Sequence, residues 1–370
     1  LTPTIVPDEE LSFILFTSGS TGTPKGVPIT IANLTVFTEC FLSLGFKIDE
    51  NDKFLQMFEL TFDATVSTFV PALLKGASLY PLPKDKIRFA YILELLEEHQ
   101  LTVVLCLMPS LLFYFRPYFN ELNFESMKLC IVGGEAVPLD LVEEWSKCIP
   151  NCTILNGYGP TEDTIVSTYY FFDRNGNNKS YNGVLSCGLP TSGCDIIIVD
   201  ENKNILEKGE KGELCLSGDQ LTSGYWNNEE KNKEAFFYLD HKGKRTRFYR
   251  TGDLCFIDEE GYLMFIGRID FQAKIKGYRI ELVEVEFHAK TLLDKINVAA
   301  IPFKNVIGET ELGLAVESED CNVKELLDYM RTKIPFYMIP SSVKLMKEFP
   351  RNNNGKTDRK ALEQLFTPTA

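Results

Sequence analysis

The sequence has no excess of positive charge. Its 38 Lys and Arg residues are outnumbered by 52 Asp and Glu residues, which gives a formal net charge of −14 at pH 7. A protein that binds DNA or RNA without sequence preference needs a positive field over its surface. The composition therefore argues against that class, and any phosphate that the protein binds is expected to be held by a local site.

The sequence also lacks a long hydrophobic run, a basic leader and a Cys-x-x-Cys motif. The most apolar stretch, residues 101–115, is interrupted by polar residues and proline and falls short of the roughly 18 apolar residues that a membrane span requires. We expect neither a transmembrane helix nor a signal peptide, and the absence of an initial Met suggests a fragment. The ten scattered cysteines are expected to be buried, reduced thiols of a cytoplasmic protein.

The 370 residues are 44% hydrophobic and, up to about residue 165, alternate strand-like with helix-length segments. This alternation predicts a parallel sheet covered by helices. Ligands of such sheets bind beyond the carboxyl ends of the strands, so the loops after Phe16, Val132 and Asn156 are expected at one edge. The predicted strands are 13–16, 53–58, 77–80, 103–107, 129–132 and 153–156, and the predicted helices are 31–44 (capped by Thr30), 66–75, 91–100 and 139–147.

From residue 167 to 268 the pattern changes to short strands separated by turn signals. The segment Asp173-Arg174-Asn175-Gly176 is one of these signals. The pattern predicts a β-rich subdomain, followed by a small α+β unit. We place the main boundary near Ile269 and Asp270.

A loop rich in hydroxyl groups and glycine joins the first predicted strand to the first predicted helix. It reads Thr17-Ser18-Gly19-Ser20-Thr21-Gly22-Thr23-Pro24-Lys25-Gly26. Small residues, hydroxyls and one cation are what a loop that cradles phosphate requires. It is not a Walker loop, because Pro24 stands where that motif needs Gly before the Lys. The alternative, a flexible linker, is disfavoured by the ordered segments on both sides.

Five motifs resemble those of the adenylate-forming superfamily, which includes amino-acid adenylation domains, acyl-CoA synthetases and luciferases. Their occurrence in the family's order argues against chance similarity. The residues of the two motifs nearest the C-terminus are more typical of members that load carrier proteins, namely the nonribosomal peptide synthetase and D-alanine carrier-protein ligase type. Besides the loop at 17–26, the motifs are residues 156–162 (NGYGPTE), 249–253 (YRTGD), 267–272 (GRIDFQ) with 276–281 (KGYRIE), and 354–359 (NGKTDR).

The resemblance implies the α/β adenylate-forming fold. A large domain would cover residues 1–268, with 167–268 as its β-rich part, and a small α+β lid domain would cover 269–370, with Asp270 as the hinge. Family members have roughly a hundred further residues before the phosphate loop, so the large domain is expected to lack its N-terminal part. The resemblance also implies ATP and Mg²⁺ as ligands.

Joining a carboxylate to the α-phosphate of ATP brings two anions together, so catalysis needs positioning and positive charge. By resemblance, Lys356 bridges the two anions and Glu162 helps to hold Mg²⁺. Taken singly, such residues could instead be core or surface positions. At the nucleotide, the resemblance implies Asn156 and Tyr158 at adenine, Asp253 at the ribose hydroxyls and Arg268 at the ribose or phosphate. The implied phosphate-loop residues are Thr17, Ser18, Gly19, Ser20, Thr21, Gly22 and Lys25, and the further implied nucleotide-binding residues are Gly134, Glu135, Gly157, Gly159 and Thr161.

Asp63 lies in a segment where, by resemblance, amino-acid adenylation domains keep an Asp that pairs with the substrate ammonium. A buried carboxylate is costly without a cation; the alternative is that Asp63 caps the following helix. The other implied substrate positions carry no charge, so a neutral amino acid that is apolar or small is expected, although Gly133 and Gly157 would leave room for a larger one. These positions are Ala64, Ser67, Cys106, Ile131, Gly133, Gly157, Ile165 and Val166.

The resemblance further implies transfer of the activated acid to the phosphopantetheine thiol of a carrier protein. The single Gly-Gly pair, at 133–134, is not followed by the Ser that carries this group, so the carrier is expected to act in trans or to lie beyond the chain ends. Two alternatives stay open. An acyl-CoA synthetase-type ligase would leave Asp63 without an ammonium, and a catalytically silent relative would bind nucleotide without turnover. No nucleic-acid or membrane partner is expected.

Overall fold

The computed structural model divides the chain into two compact units. The first unit includes residues 6–17 and 25–269, and the second includes the described residues between 272 and 367. The predicted site residues Ser18, Gly19, Ser20, Thr21, Gly22, Asp270 and Lys356 lie outside the described residues. The structure describes residues 6–17, 24–83, 88–269, 272–293, 296–351 and 357–367.

The first unit begins with an antiparallel strand pair and continues into a seven-stranded sheet. The pair is β1 (Leu11–Thr17) and β2 (Lys25–Thr30). The seven strands of the sheet are β3 (Lys53–Gln56), β4 (Ser78–Pro81), β5 (Val103–Leu107), β6 (Leu129–Gly133), β7 (Thr153–Tyr158), β8 (Thr168–Phe171) and β11 (Leu189–Pro190). Between β8 and β11 the chain forms a separate short pair, β9 (Ser180–Tyr181) and β10 (Val184–Leu185). The order is β11-β8-β7-β6-β5-β3-β4, with parallel pairing from β4 to β7 and antiparallel pairing from β7 to β11.

Strand β1 is not part of the parallel sheet, so the prediction that the loop after Phe16 continues from that sheet is wrong. β1 pairs with β2, and Thr17 lies opposite Lys25 at the end of this ribbon. The sequence did not indicate β2 because it contains both Gly26 and Pro28, which are uncommon in strand interiors. Residues Lys25 to Ile29 are nevertheless buried, and this burial holds the strand in place.

Helices cover both faces of the seven-stranded sheet. They are α1 (Ile31–Ser43), α2 (Asp63–Leu74), α3 (Arg88–His99), α4 (Pro109–Phe115) and α5 (Leu139–Cys148). A sixth helix of this unit, α6 (Glu229–Ala235), comes later in the chain, after the strands of this sheet. In β6, Leu129 and Ile131 pack with the core beneath α1 and α2, whereas Cys130 and Val132 pack with the core that contains Trp145 of α5. This is the two-residue alternation of a strand that is buried on both faces.

Helix ends differ from the predictions in ways that short-range chemistry explains. Thr30 caps α1 as predicted: its hydroxyl accepts from the Asn33 amide at 3.2 Å, and the Asn33 side chain accepts from the Thr30 amide at 3.1 Å. α2 begins at Asp63, earlier than predicted, with a carboxylate in its first turn where the helix dipole favours negative charge. α4 was not predicted, because seven residues are too few to show a helical period.

The remaining strands of the first unit form a five-stranded antiparallel sheet. They are β12 (Cys194–Val199), β13 (Gly212–Gly218), β14 (Phe236–His241), β15 (Lys244–Ile257) and β16 (Leu263–Arg268). The predicted β-rich part is present, but it does not begin at residue 167, because β8 turns back and pairs with β7. In the β15–β16 register, Asp253 lies opposite Arg268.

The second unit is a small α+β assembly. Its strands are β17 (Gln272–Ile275), β18 (Tyr278–Glu281), β19 (Val298–Lys304), β20 (Thr310–Val316) and β21 (Ser342–Leu345), and its helices are α7 (Leu282–Leu292), α8 (Val323–Arg331) and α9 (Arg359–Phe366). β17 and β18 form a hairpin, and β19, β20 and β21 form a sheet. Among the described residues, no helix is both long and apolar enough to cross a membrane. All ten cysteines are unpaired thiols.

Candidate functional site

A buried carboxylate on β15 is held between an aromatic hydroxyl and a guanidinium. The Tyr158 hydroxyl donates to Asp253 Oδ2 at 2.5 Å, and Arg268 Nη1 donates to Asp253 Oδ1 at 2.8 Å. Arg268 also donates to the carbonyl of Thr251 at 2.8 Å. Burial, and then the neighbouring Asp253 carboxylate, raise the pKa of Tyr158 well above its usual value, so its hydroxyl stays a donor. Each Asp253 oxygen retains a second lone pair, which two adjacent hydroxyl groups could use.

The two predicted adenine residues have structural contacts as well. Tyr158 is 8% exposed and packs in an apolar cluster with Cys187 and Ile196. The side-chain amide of Asn156 donates to the carbonyl of Ser186 at 2.9 Å. The structural alternative for Tyr158 is therefore correct in part, because its ring belongs to a core while its hydroxyl bonds to Asp253.

Glu162 lies in a short 3₁₀ helix, Thr161–Asp163, directly after β7, and it is fully buried. The Tyr225 hydroxyl donates to Glu162 Oε1 at 2.7 Å. The ammonium of Lys25, on β2, lies 5.1 Å from the centre of the Tyr225 ring and is 9% exposed. A buried anion and a buried cation thus share one aromatic neighbour, Tyr225.

The described residues fit Mg²⁺ as a nucleotide-bound ion. No group of three or more His, Cys, Asp or Glu side chains that could hold a metal exists among the described residues. Mg²⁺ in such sites uses one or two protein carboxylates and takes its other ligands from water and phosphate oxygens. The single carboxylate of Glu162 meets that requirement. At the start of the predicted phosphate loop, the buried Thr17 hydroxyl has no hydrogen-bond partner within the described part of the chain.

Gly134 and Glu135 follow β6. Gly134 has a positive φ of 81°, which its lack of a side chain permits. Glu135 Oε2 accepts from the backbone amide of Ser110 at 3.0 Å, in the first turn of α4. Glu135 therefore ties the end of β6 to the start of α4.

Asp63 joins the first turn of α2 to the loop after β7. The Thr161 hydroxyl donates to Asp63 Oδ2 at 2.7 Å, and the Ala64 amide donates to Asp63 Oδ1 at 2.8 Å. Asp63 is the first helical residue and Phe62 is the N-cap, so the capping alternative describes part of its bonding. The carboxylate is half-buried.

Ser67 and Cys106 meet beside Asp63. Their Oγ and Sγ atoms are 3.7 Å apart, and the Ser67 hydroxyl also lies 2.8 Å from the carbonyl of Ala64, to which it donates. Cys106 has a positive φ of 59° at an irregular point in the pairing of β5 with β6. Burial raises the pKa of the Cys106 thiol to about 11, with the Asp63 carboxylate also raising it. The thiol is therefore neutral at pH 7 and acts as a small polar contact.

The space beside the two glycines is already filled. A Cβ on Gly133 would lie 2.3 Å from the carbonyl oxygen of Gly157. A Cβ on Gly157 would lie 3.0 Å from Ile131 Cγ2 and 3.3 Å from Tyr169 Cε1. The neighbouring strand and the side chains of Ile131 and Tyr169 therefore occupy the volume directly beside these glycines. The room that they would leave for a larger substrate stays a prediction.

A strained turn connects β7 to β8. Thr164 and Ile165 both have positive φ, 46° and 78°, and a Cβ on Gly159 would lie 2.5 Å from the Ile165 carbonyl oxygen. The buried side chain of Gln220 holds this turn by donating to the carbonyls of Asp163 and Val166, at 2.8 and 2.9 Å. A β-branched residue such as Ile165 adopts this conformation only when its surroundings impose it.

Asp163, next to Glu162, is buried inside this turn. The Ser167 hydroxyl donates to Asp163 Oδ2 at 2.5 Å, and Gln220 Nε2 donates to the same oxygen at 3.1 Å. Burial raises the pKa of Asp163 to about 6, against the lowering effect of the hydrogen bonds from Ser167, Gln220 and Cys194.

Sequence reasoning missed three residues that lie against the predicted site or its turn. Tyr225 contacts Glu162 from 63 positions away, and Gln220 contacts Asp163 from 57 positions away. Tyr169 lies opposite Gly157 in the β7–β8 pair. Local patterns do not indicate the first two; the short spacing between β7 and the apolar run at Tyr169 was a usable signal for the third.

A model of the family described as AMP-binding enzyme matches residues 1–226 of this chain. The chain belongs to this family. The predicted membership in the adenylate-forming superfamily is therefore confirmed.

The AMP-binding chain is similar to curated proteins of the predicted type. Tyrocidine synthase 3 of Brevibacillus parabrevis is 35% identical over 360 residues, which are 96% of this chain and 5% of that protein. D-alanine--D-alanyl carrier protein ligase of Bacillus licheniformis is 32% identical over 378 residues, which are 98% of this chain and 72% of that protein. The chain spans 5% to 8% of the first four curated relatives that it matches.

Among solved structures, the AMP-binding chain resembles the Vibrio cholerae adenylation domain AlmE in complex with glycyl-adenosine-5'-phosphate. The TM-score is 0.87 and the identity 29%, and the match covers 98% of this chain and 67% of that one. The predicted α/β adenylate-forming fold is confirmed.

Proposed function

We propose that the chain activates a neutral amino acid with ATP, forming aminoacyl-AMP and pyrophosphate, and passes the aminoacyl group to a carrier-protein thiol. Family membership and similarity to a D-alanine--D-alanyl carrier protein ligase support this assignment. The ten unpaired thiols fit the reducing cytoplasm, which we propose as its location.

The observation that carries the proposal is the half-buried carboxylate of Asp63 beside otherwise uncharged predicted pocket residues. Its two oxygens accept from Thr161 and Ala64, and a carboxylate can accept further hydrogen bonds. A substrate ammonium would compensate this charge. A fatty or aryl acid carries no ammonium for this carboxylate to bind.

In the first step, an oxygen of the substrate carboxylate attacks the α-phosphorus, the bond to the β-phosphate breaks, and pyrophosphate leaves. Mg²⁺, when bound, would neutralise phosphate charge, with Glu162 as its protein ligand. Asp253 would accept from the ribose hydroxyls, Tyr158 would stack on adenine with Asn156 at its edge, and Lys25 with the phosphate loop would hold the terminal phosphates. Following the motif resemblance, we assign Lys356 to the substrate carboxylate and the α-phosphate.

In the second step, the thiolate of a phosphopantetheine arm attacks the aminoacyl carbonyl, a thioester forms, and AMP leaves. We retain residues 1–268 as the proposed large domain, 269–370 as the proposed lid and Asp270 as the proposed hinge. The compact units that include 25–269 and 272–367 support this division.

Substrate-dependent ATP–pyrophosphate exchange tests the proposal. The panel contains L- and D-amino acids, with fatty and aryl acids as controls. We expect exchange with a neutral amino acid. We also expect Asp63→Asn to lower kcat/KM for that amino acid by about 30-fold or more, since it leaves a buried ammonium without its counter-ion, with little change in the KM for ATP. The matched control is Asp320→Asn, at an exposed position of the second unit.

Three results would contradict the proposal in different ways. Exchange with fatty or aryl acids alone would favour an acyl-CoA synthetase-type ligase. Full activity of Asp63→Asn would remove the proposed ammonium contact. Saturable ATP binding with no exchange for any acid would identify a catalytically silent relative.

A further inference from the structure

We infer that Tyr169 determines substrate size by closing the side-chain pocket, which restricts the enzyme to small neutral amino acids. The inference rests on the proposed function and names the substrate class of the same site. Tyr169 lies outside the five motifs and outside the substrate positions that the resemblance implies.

The strand register places Tyr169 over Gly157. The two residues are direct partners in the antiparallel β7–β8 pair. Tyr169 Cε1 lies 3.3 Å from the position that a Gly157 Cβ would occupy. The ring of Tyr169 therefore fills the volume that Gly157 leaves, and the glycine permits this close approach.

The same ring belongs to the wall of the predicted substrate pocket. Tyr169 is 7% exposed and packs in one apolar cluster with Ile131, Ile165 and Val166, which are three of the predicted substrate positions. Burial, followed by the nearby thiols of Cys106 and Cys40, raises the pKa of the Tyr169 hydroxyl. The ring thus stays neutral and lies within electrostatic range of Cys106.

No alternative space opens beside Gly133, because the Gly157 carbonyl oxygen occupies it. On the other side, Ser67 and Cys106 contact each other at 3.7 Å. These contacts place Tyr169 and Ile131 at the glycine side of the predicted pocket and the polar pair at the side near Asp63. A bulky aliphatic or aromatic substrate side chain would need the volume of the Tyr169 ring.

The neighbouring residue supplies a matched control. Tyr170 is 5% exposed, is the same residue type and lies on the same strand, but it faces the opposite core, where its hydroxyl accepts from the Lys179 amide at 2.7 Å. Truncation of either tyrosine removes a similar buried volume. Truncation of Tyr169 alone would enlarge the pocket.

The test measures ATP–pyrophosphate exchange with glycine, alanine, valine, leucine and phenylalanine, together with carboxylic acids of increasing size. We expect the wild type to favour the small members. Tyr169→Ala should raise kcat/KM for large relative to small substrates by about 10-fold or more, the scale of one methylene in an apolar pocket. Tyr170→Ala and Tyr169→Phe should keep the wild-type preference.

Thermal unfolding shows whether each variant folds, and Tyr169→Leu replaces Tyr169→Ala if the latter does not. An unchanged size preference in a folded Tyr169 variant, or an equal change in Tyr170→Ala, would overturn the inference. A wild type that uses simple carboxylic acids alone would contradict the proposed amino-acid specificity, while the acid series would still test Tyr169. A wild type without any exchange would overturn both.

Discussion

At the scale of single residues, two buried carboxylates of the candidate site, those of Asp253 and Glu162, each accept hydrogen bonds from neighbouring side chains. Asp253 accepts from Tyr158 and Arg268, and Glu162 accepts from Tyr225. An unpaired buried charge is costly, and removing one partner of a buried pair leaves the other without compensation. Changes at these positions are therefore expected to affect ligand binding more than changes at exposed charges.

Asp253→Asn should weaken ATP binding. The change removes a negative charge that holds Arg268 and that we propose accepts from the ribose, and a hydrogen bond to a charged group contributes about 1.5–3 kcal/mol. We expect the KM for ATP to rise by roughly 10- to 100-fold, with little change in the KM for the amino acid. Steady-state exchange at varied ATP concentration measures this.

Tyr158→Phe is the companion variant for Asp253. It removes one hydrogen bond to Asp253 and keeps the ring, so its effect on the KM for ATP should be smaller than that of Asp253→Asn. If Asp253→Asn leaves the KM for ATP unchanged, Asp253 does not contact the nucleotide.

At the scale of secondary-structure elements, one buried carboxylate links the amino ends of three parallel strands through hydrogen bonds. Asp52, directly before β3, accepts from the Thr102 hydroxyl at 2.7 Å and from Lys128 Nζ at 2.8 Å. Thr102 precedes β5, and Lys128 precedes β6. This cluster lies at the opposite end of the strands from the candidate site, so it stabilises the sheet without contacting the proposed substrates.

Asp52→Ala should lower the free energy of unfolding by about 2 kcal/mol, because it removes a buried carboxylate that accepts hydrogen bonds from Thr102, Lys128 and the Asp49 amide. Burial opposes ionisation of Asp52, but hydrogen bonds from Lys128, the Asp49 amide and Thr102 lower its pKa overall. The contribution of Asp52 to the free energy of unfolding is therefore present above its unfolded-state pKa of roughly 4. It is lost as the pH falls through the lower folded-state pKa.

Urea unfolding of wild type and Asp52→Ala at neutral pH and at about pH 3 measures this contribution. The difference between the two proteins should be smaller at the acidic pH. A difference that stays constant would show that the ionised carboxylate is not the source of the stability. Lys128→Met serves as a milder variant of the same cluster, since the Lys128 side chain is 54% exposed.

At the scale of the whole molecule, nucleotide binding should stabilise the folded chain. A ligand at 100-fold excess over its Kd contributes about 2.7 kcal/mol. We expect ATP with Mg²⁺ to raise the Tm, ATP with a chelator to raise it less, and the chelator to abolish pyrophosphate exchange until Mg²⁺ is restored. Thermal unfolding and exchange measurements on the same preparation check this, and a Tm insensitive to ATP would contradict a nucleotide site.

The central architecture was predictable because it depends on local patterns. The strands β5, β6 and β7 and the helices α1 and α5 follow from hydrophobic alternation and helical period, to within a few residues. The ribbon of β1 and β2 was not predictable in the same way. Its pairing depends on which distant groups satisfy the backbone hydrogen bonds, and its second strand contains residues that are poor strand formers.

The amino-acid sequence by itself determined the family, the charged residues available for catalysis and the order of the core elements, because motifs and periodicity are short-range properties. Tertiary structure decided which side chains meet. Thr161 reaches Asp63 across 98 positions, Tyr225 reaches Glu162 across 63, and Tyr169 fills the space beside Gly157. Such contacts depend on strand register and close packing, which no local pattern encodes.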